Sequence, residues 1–347
     1  MYLGDYGLVG SELSMFTRKL EAQLRFQGIP WYWSFKTQER TAQIEARTGT
    51  HFIPALITPD KWMIHDTIAI GPFLHDRFRH APVIPDTPVQ RTCCFILEDV
   101  FNHWLGPICV HTRWCYRDNV AWVGPRFGAN TVLNRSIDEP FTEQELRELA
   151  PIGDMMYESF GRNVCDVNGV GPGQQPAVQA AFTQLLQALD EHFADNDFLL
   201  GPRPCLADFA LAGACKAHFV TDPVPVSWLG AYRDMLFAFT DRLFGAHSFA
   251  DRRWPAEDAV PASLHGLLEY AQGTYFQSAR ANIAAGLQGE KYYEYDAGFG
   301  VIRARTQKRL NLARLHVQDE LLRAGACDSA AVDRLFEGRG IIEHYLA

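Results

Sequence analysis

The sequence predicts an α/β unit over residues 1–80, a short linker over 81–90, and an all-helical region over 91–347 that runs to the end of the chain. Three observations carry that reading. Apolar residues in the first eighty positions alternate between strand-like runs and helical spacing. Pro82, Pro85 and Pro88 recur at a spacing that no helix interior accepts. Beyond them helical periodicity dominates.

Tyr2 to Val9 is the first strand. Ser14 to Gln27 carries Phe16, Leu20 and Leu24 at a spacing of four, one helix face, with Gly28 as stop signal and Pro30 beyond. The short aromatic run Trp31 to Phe35 is the second strand. Thr37 to Arg47 is a polar second helix ended by Gly49, and Phe52 to Ile57 returns to an apolar strand in which Pro54, lacking a donor, belongs at the start or edge. Thr58-Pro59-Asp60-Lys61 has turn chemistry before Trp62-Met63-Ile64, and Asp66-Thr67 offers N-cap side chains to a helix through Leu74. The order is β-α-β-α-β-β-α.

Helical stretches follow at about Gln90–Leu105, Thr142–Leu149, Pro176–Phe193, Ala207–Phe219, Trp228–Phe244, Ser263–Ala285 and Arg303–Ala324. Val178, Phe182, Leu185, Leu186, Leu189 and Phe193 share one face, and Thr142 with Glu145 fits a capping box. The glycine-rich run from Asn168 to Gly173 follows no strand and lacks the Lys-Ser/Thr of a phosphate loop, so it is a turn between helices.

Composition narrows the function classes. With 32 basic against 41 acidic residues, bulk charge does not favour a nucleic acid. No apolar run reaches the roughly 18 residues of a membrane span, and the first residues lack a signal-like pattern, so the expected compartment is cytoplasmic. The eight cysteines form no Cys-x-x-Cys pair and no ligand cluster, which predicts reduced, mostly buried thiols rather than a dithiol or zinc site. Glu98, Asp99, His103 and His111 lack metal-ligand spacing, so no metal is expected. Arg303, Arg305, Lys308, Arg309 and Arg314 are expected on a solvated helix face.

The element order, Ile53-Pro54 at the third strand, Asp66-Thr67 at the last helix, and the switch to helices together resemble the cytosolic glutathione transferase superfamily. Ser14-Met-Phe-Thr-Arg-Lys-Leu20 and Leu200-Gly-Pro-Arg-Pro-Cys-Leu-Ala-Asp-Phe-Ala-Leu211 are similar to its first and central helix starts. Glu98-Asp99 through Trp104, His111 to Trp114, and Ala279 to Asn282 resemble a group of long bacterial members with an extended helical domain. The resemblance implies a thioredoxin-like N-terminal domain, an extended helical C-terminal domain, glutathione as cosubstrate, a small hydrophobic electrophile as partner, and a homodimer.

The chemistry follows from the thiol. A free pKa of about 8.5 leaves only a few per cent of glutathione as thiolate near neutrality. Lowering it by about two units requires about 2.7 kcal/mol of preferential thiolate stabilisation, which a hydroxyl donor and a helix N-terminus supply together. The resemblance gives that task to Ser14, with Ser11 second, Thr17 third and Tyr6 as the strand-borne alternative; a plain N-cap is the other reading of Ser14. It makes Pro54 cis, so that the Ile53 backbone pairs with the cysteinyl part of glutathione. It gives Asp66 and Thr67 the γ-glutamyl carboxylate, bound at open helix donors. Trp104, Arg113, Trp114 and Tyr116 are candidates to line the second-substrate pocket, against the alternative that they belong to the core. Asp208 with Cys205 stands at a capping box whose cap, being Cys, is a poor acceptor, and its role is folding.

Overall fold

The computed structural model describes residues 4–245 and 249–346. β1 (Tyr6–Gly10), α1 (Met15–Phe26), β2 (Trp31–Phe35), α2 (Gln38–Thr48), β3 (Ala55–Ile57), β4 (Met63–His65) and α3 (Thr67–Arg77) follow the expected order. The expected strand residues Tyr2 and Leu3 lie outside the described residues. The sheet runs β2-β1-β3-β4, with β1 parallel to β2 and antiparallel to β3, and β3 antiparallel to β4. Period-two alternation splits β1 between two cores: Tyr6 and Leu8 pack under α1 and α3, while Val9 packs with Ile44 of α2. Gly49 ends α2 in the left-handed region at φ 73°, the stop its sequence position predicts.

The helical domain begins with α4 (Pro88–Trp114), longer than its periodicity suggested because Pro107 is accommodated inside it. α5 (Arg117–Thr131), α6 (Glu143–Leu149), α7 (Pro151–Met156) and α8 (Arg162–Asn168) follow, with a π-helical turn joining α7 to α8. Thr142 and Glu145 form the expected capping box. α9 (Gln175–Phe193), α10 (Leu206–Ala214), α11 (Pro223–Trp228) and α12 (Arg233–Phe244) come next. The buried helix α10 crosses α1 so closely that a Cβ on Gly213 would stand 2.3 Å from the Met15 carbonyl oxygen, a contact only glycine permits.

The remaining chain forms α13 (Leu264–Gly273), α14 (Tyr275–Leu287), β5 (Tyr292–Asp296), β6 (Val301–Arg305), α15 (Lys308–Arg323), α16 (Ala330–Phe336) and α17 (Ile341–Leu346). Two expectations are corrected here. The helix expected over 263–285 breaks at Thr274, and the N-terminal part of the helix expected from Arg303 is strand, paired as a hairpin with β5. The hairpin has a physical cause in alternating burial on both strands, with Gly298 and Gly300 at positive φ in the turn. Arg303 and Arg305 accordingly sit on β6, where they pair with Glu294 and Asp166, and only Lys308, Arg309 and Arg314 of the basic run lie on a helix.

This C-terminal extension packs on α4. Tyr275 and Tyr345 both donate hydroxyl hydrogen bonds to Asp99 Oδ2 at 2.7 Å, and Arg91 pairs with Glu320 at 2.6 Å. Burial acts to raise the Asp99 carboxyl pKa, but hydrogen bonds from His103, Tyr345 and Tyr275 hold it below its ordinary value. No described helix is long and apolar enough to cross a membrane.

Candidate functional site

Sheet register assembles the site. Val9 pairs with Ala55 and Ala55 with His65. The next step along those three antiparallel strands brings Gly10, Pro54 and Asp66 to one end of the sheet. There β1 hands over to α1, β3 begins, and β4 hands over to α3. The Ile53–Pro54 bond is cis, and the next residues are buried strand. Asp66 caps α3, its carboxylate accepting from the Ile68 N–H at 3.0 Å, at φ 73°. A left-handed backbone at an exposed non-glycine residue costs on the order of 1 kcal/mol or more, and such residues gather at ligand sites.

Ser14 is the N-cap of α1: extended at φ −100°, its hydroxyl accepts from the Thr17 N–H at 3.3 Å, and it is half-buried. Its hydroxyl hydrogen is not committed by that bond, because the hydroxyl there acts as acceptor. The other candidate donors are placed differently. Ser11 is buried and donates its hydroxyl to Asn130 Oδ1 at 2.8 Å. Thr17 is fully buried against Gly10, and Tyr6 lies in the core, where its hydroxyl accepts from Arg77.

Thr67 is 5 % exposed, and its hydroxyl accepts from Lys19 Nζ at 3.3 Å. That ammonium also pairs with Glu98 at 2.6 Å and donates to Asn102 at 3.1 Å, all inside the α1–α4 interface. The Thr67 hydroxyl is thus held inward while Asp66 stands in solvent. What α3 offers a carboxylate is its N-terminal backbone and the field of the helix.

The loop leading to Ser14 is clamped from above. Glu12 receives the Ile137 N–H at 2.7 Å, the Ser136 hydroxyl at 2.8 Å and Asn130 Nδ2 at 3.1 Å. Arg18 donates to the Glu12 carbonyl at 2.9 Å. Leu13 is buried among Trp114, Val120, Val123 and Ile137. Residues 11–13 are therefore covered by α5 and the segment after it.

The four residues expected to line a second-substrate pocket do not converge. Trp104 is buried and donates its indole N–H to Tyr270 at 2.6 Å, on the side covered by the extension. Arg113 is 3 % exposed and works as a clamp: it pairs with Asp222 through Nε at 2.8 Å and Nη2 at 3.0 Å, and donates to the Leu13 and Ala217 carbonyls at 2.6 Å each. Trp114 stacks on Phe127 in the core beneath Leu13. Tyr116 is half-buried, its hydroxyl 3.3 Å from His111 Nε2. Lys19, Asn130 and Arg113 are the residues around Ser14 that sequence reasoning assigned no such part. Their partners lie 79, 119 and 109 positions away, which no local pattern reveals.

In the central helix, Asp208 accepts from the Cys205 N–H at 2.9 Å and the Leu199 N–H at 2.8 Å. Burial pushes its carboxyl up to about 7, against those bonds. The capping carboxylate works as expected; Cys205 itself is fully buried, and burial raises its thiol pKa well above the ordinary value.

A mixed four-stranded sheet ending on a capped first helix, followed by a helical domain with a buried, carboxylate-capped central helix, defines a glutathione-transferase-type fold. Residues 172–245 match the family model of the glutathione S-transferase C-terminal domain. No curated protein matches the chain in sequence. Among solved structures it is similar to FzlA from C. crescentus, at 16 % identity over 75 % of this chain and 98 % of that one, with a TM-score of 0.43. It is also similar to a glutathione S-transferase from Rhodospirillum rubrum F11, at 14 % identity over 75 % and 97 % with a TM-score of 0.46. The glutathione transferase GSTFuA3 from Phanerochaete chrysosporium aligns at 13 % identity over 72 % and 99 %, with a TM-score of 0.47.

Proposed function

We propose that the chain is a glutathione-dependent transferase in which Ser14 steadies the glutathione thiolate for attack on a hydrophobic electrophile. The observation that supports it is the convergence, by sheet register, of a half-buried N-cap hydroxyl, a cis X-Pro bond and the left-handed Asp66 at one end of the sheet. In this reading the Ile53 backbone pairs with the cysteinyl portion of glutathione, Pro54 fixes that edge open, and Asp66 with the N-terminal backbone of α3, including the Thr67 backbone, receives the γ-glutamyl end. Glutathione is the cosubstrate, no metal takes part, and the protein works as a cytoplasmic homodimer. Residues 1–80 act as the glutathione-binding domain, 81–90 as the linker and 91–347 as the helical domain.

A second reading, a binding or assembly module without turnover, is favoured by one specific feature. Ser11, Glu12 and Leu13, which lead into Ser14, are buried beneath α5 and residues 136–137. Calorimetric titration with glutathione, run beside turnover of a panel of aryl halides, epoxides and aryl ethers, separates the two. Binding with turnover supports the transferase. Binding without turnover across the panel supports the module, and no binding at millimolar glutathione removes both glutathione roles.

A further inference from the structure

Two cysteines fifty positions apart meet where α4 ends and α8 runs. Cys115 Sγ and Cys165 Sγ are 3.9 Å apart, Cys115 partly exposed and Cys165 buried. Each sulfur also lies near a backbone carbonyl of the other's surroundings: Cys115 near Val170 at 3.4 Å, Cys165 near Val110 at 3.6 Å. A disulfide needs sulfurs about 2.05 Å apart. The gap to close is about 1.9 Å. Among the other described cysteines Cys94 and Cys205 also meet, but both are buried with Cys93, Cys109 and Cys215 in the main core, out of reach of solvent, and Cys327 is exposed in the extension.

We propose that Cys115 and Cys165 are a peroxide-oxidisable dithiol, with Cys115 the attacking and Cys165 the resolving sulfur. Exposure assigns the order, since only Cys115 is reachable from solvent without opening the core. The electrostatics agree. A hydrogen bond from the Cys165 S–H, with further help from His111 one turn earlier, lowers the Cys115 thiol pKa, while that same pairing and burial raise Cys165. His111 is fully buried, its Nδ1 held on the Val170 carbonyl at 2.8 Å and its ring edge-on to Tyr116.

The chemistry balances. The Cys115 thiolate attacks one oxygen of hydrogen peroxide, the O–O bond breaks, and the leaving hydroxide takes up a proton as water, giving a sulfenic acid. The Cys165 sulfur attacks the Cys115 sulfur, the S–O bond breaks, and hydroxide leaves as water with the proton Cys165 gives up. The dithiol loses two electrons and the peroxide gains them. The product ties the C-terminal end of α4 to α8 and closes a loop containing α5, Asn130 and Ile137, the segment that clamps Glu12. This inference does not depend on the glutathione reading.

The test uses the full chain with its fold intact. Reduced protein is exposed to hydrogen peroxide, alkylated under denaturing conditions, and mapped by peptide mass, with and without subsequent dithiothreitol. The expected result is loss of alkylation at Cys115 and Cys165 together, a cross-linked peptide two hydrogens lighter than the pair, and full reversal by dithiothreitol. Cys165→Ser is expected to accumulate a dimedone-reactive sulfenic acid at Cys115, and Cys115→Ser to leave Cys165 alkylatable. The wild-type map needs no variant to fold. Both cysteines remaining fully alkylatable at peroxide concentrations that oxidise exposed Cys327 overturns the proposal, as does a wild-type map in which Cys115 pairs with a different cysteine.

Discussion

Arg113 is the residue whose assigned part changes most between sequence and structure, and its removal separates two accounts of it. Its guanidinium is 3 % exposed and satisfies the Asp222 carboxylate twice, together with the Leu13 and Ala217 carbonyls. Arg113→Ala leaves Asp222 buried with Asn119 Nδ2, at 3.2 Å, as its remaining side-chain donor, and strips two carbonyls of theirs. Breaking one side of a buried ion pair costs about 3–5 kcal/mol. With a urea slope of about 3 kcal/mol/M for a chain of this length, the midpoint falls by roughly 1 to 1.7 M. Arg113→Met with Asp222→Leu removes both charges and leaves the two carbonyls unmet, so most of the loss returns, to within about 2 kcal/mol of wild type. Urea unfolding followed by tryptophan fluorescence reads both variants. A single variant within about 1 kcal/mol of wild type, or a double variant no better than the single, refutes the reasoning and returns Arg113 to a substrate-facing role.

Two further outcomes are expected. Gly213→Ala places a methyl 2.3 Å from the Met15 carbonyl and 2.7 Å from the Lys19 nitrogen, so α1 and α10 must separate; thermal unfolding is expected to show a loss of at least about 2 kcal/mol, and a neutral result contradicts the tight crossing. His344 on α17 is pushed down to about 4 by burial, with Arg280 and Arg314 also disfavouring its charge and Asp99 opposing them. Because its folded pKa lies below the unfolded value near 6.5, the neutral ring stabilises the fold above that pH, and the contribution, on the order of 3 kcal/mol, is lost as pH falls towards about 4. His344→Gln is expected to flatten the fall in melting temperature over that window, and an unchanged slope contradicts it.

Much of the N-terminal fold was legible because its signals are local. Gly28 and Gly49 as stops and Asp66 as a cap act within a few residues of themselves. The hairpin at 292–305 was hidden because Arg303 and Arg305 also fit the register of the helix that follows, and only pairing with Tyr292 and Glu294 decides against helix. The candidate site was legible only as a matter of chain order: Ser14, Pro54 and Asp66 stand at one end of the sheet, where its strands begin or hand over to helices. Its cover was not. Asn130 over Ser11, Arg113 on Leu13 and Lys19 behind Thr67 are contacts between helices distant in sequence, set by packing and not by motif. The same holds for Cys115 and Cys165, whose separation carries no sequence signature of a dithiol.

The central claim is that Ser14 and the start of α1 stabilise a bound glutathione thiolate, and the ultraviolet absorbance of that thiolate, followed against pH with wild type and Ser14→Ala, tests it most directly. The account predicts that the bound thiol in wild type titrates about two units below the free value near 8.5 and moves back towards it in Ser14→Ala, with glutathione still bound. Bound glutathione that titrates identically in the two proteins contradicts it.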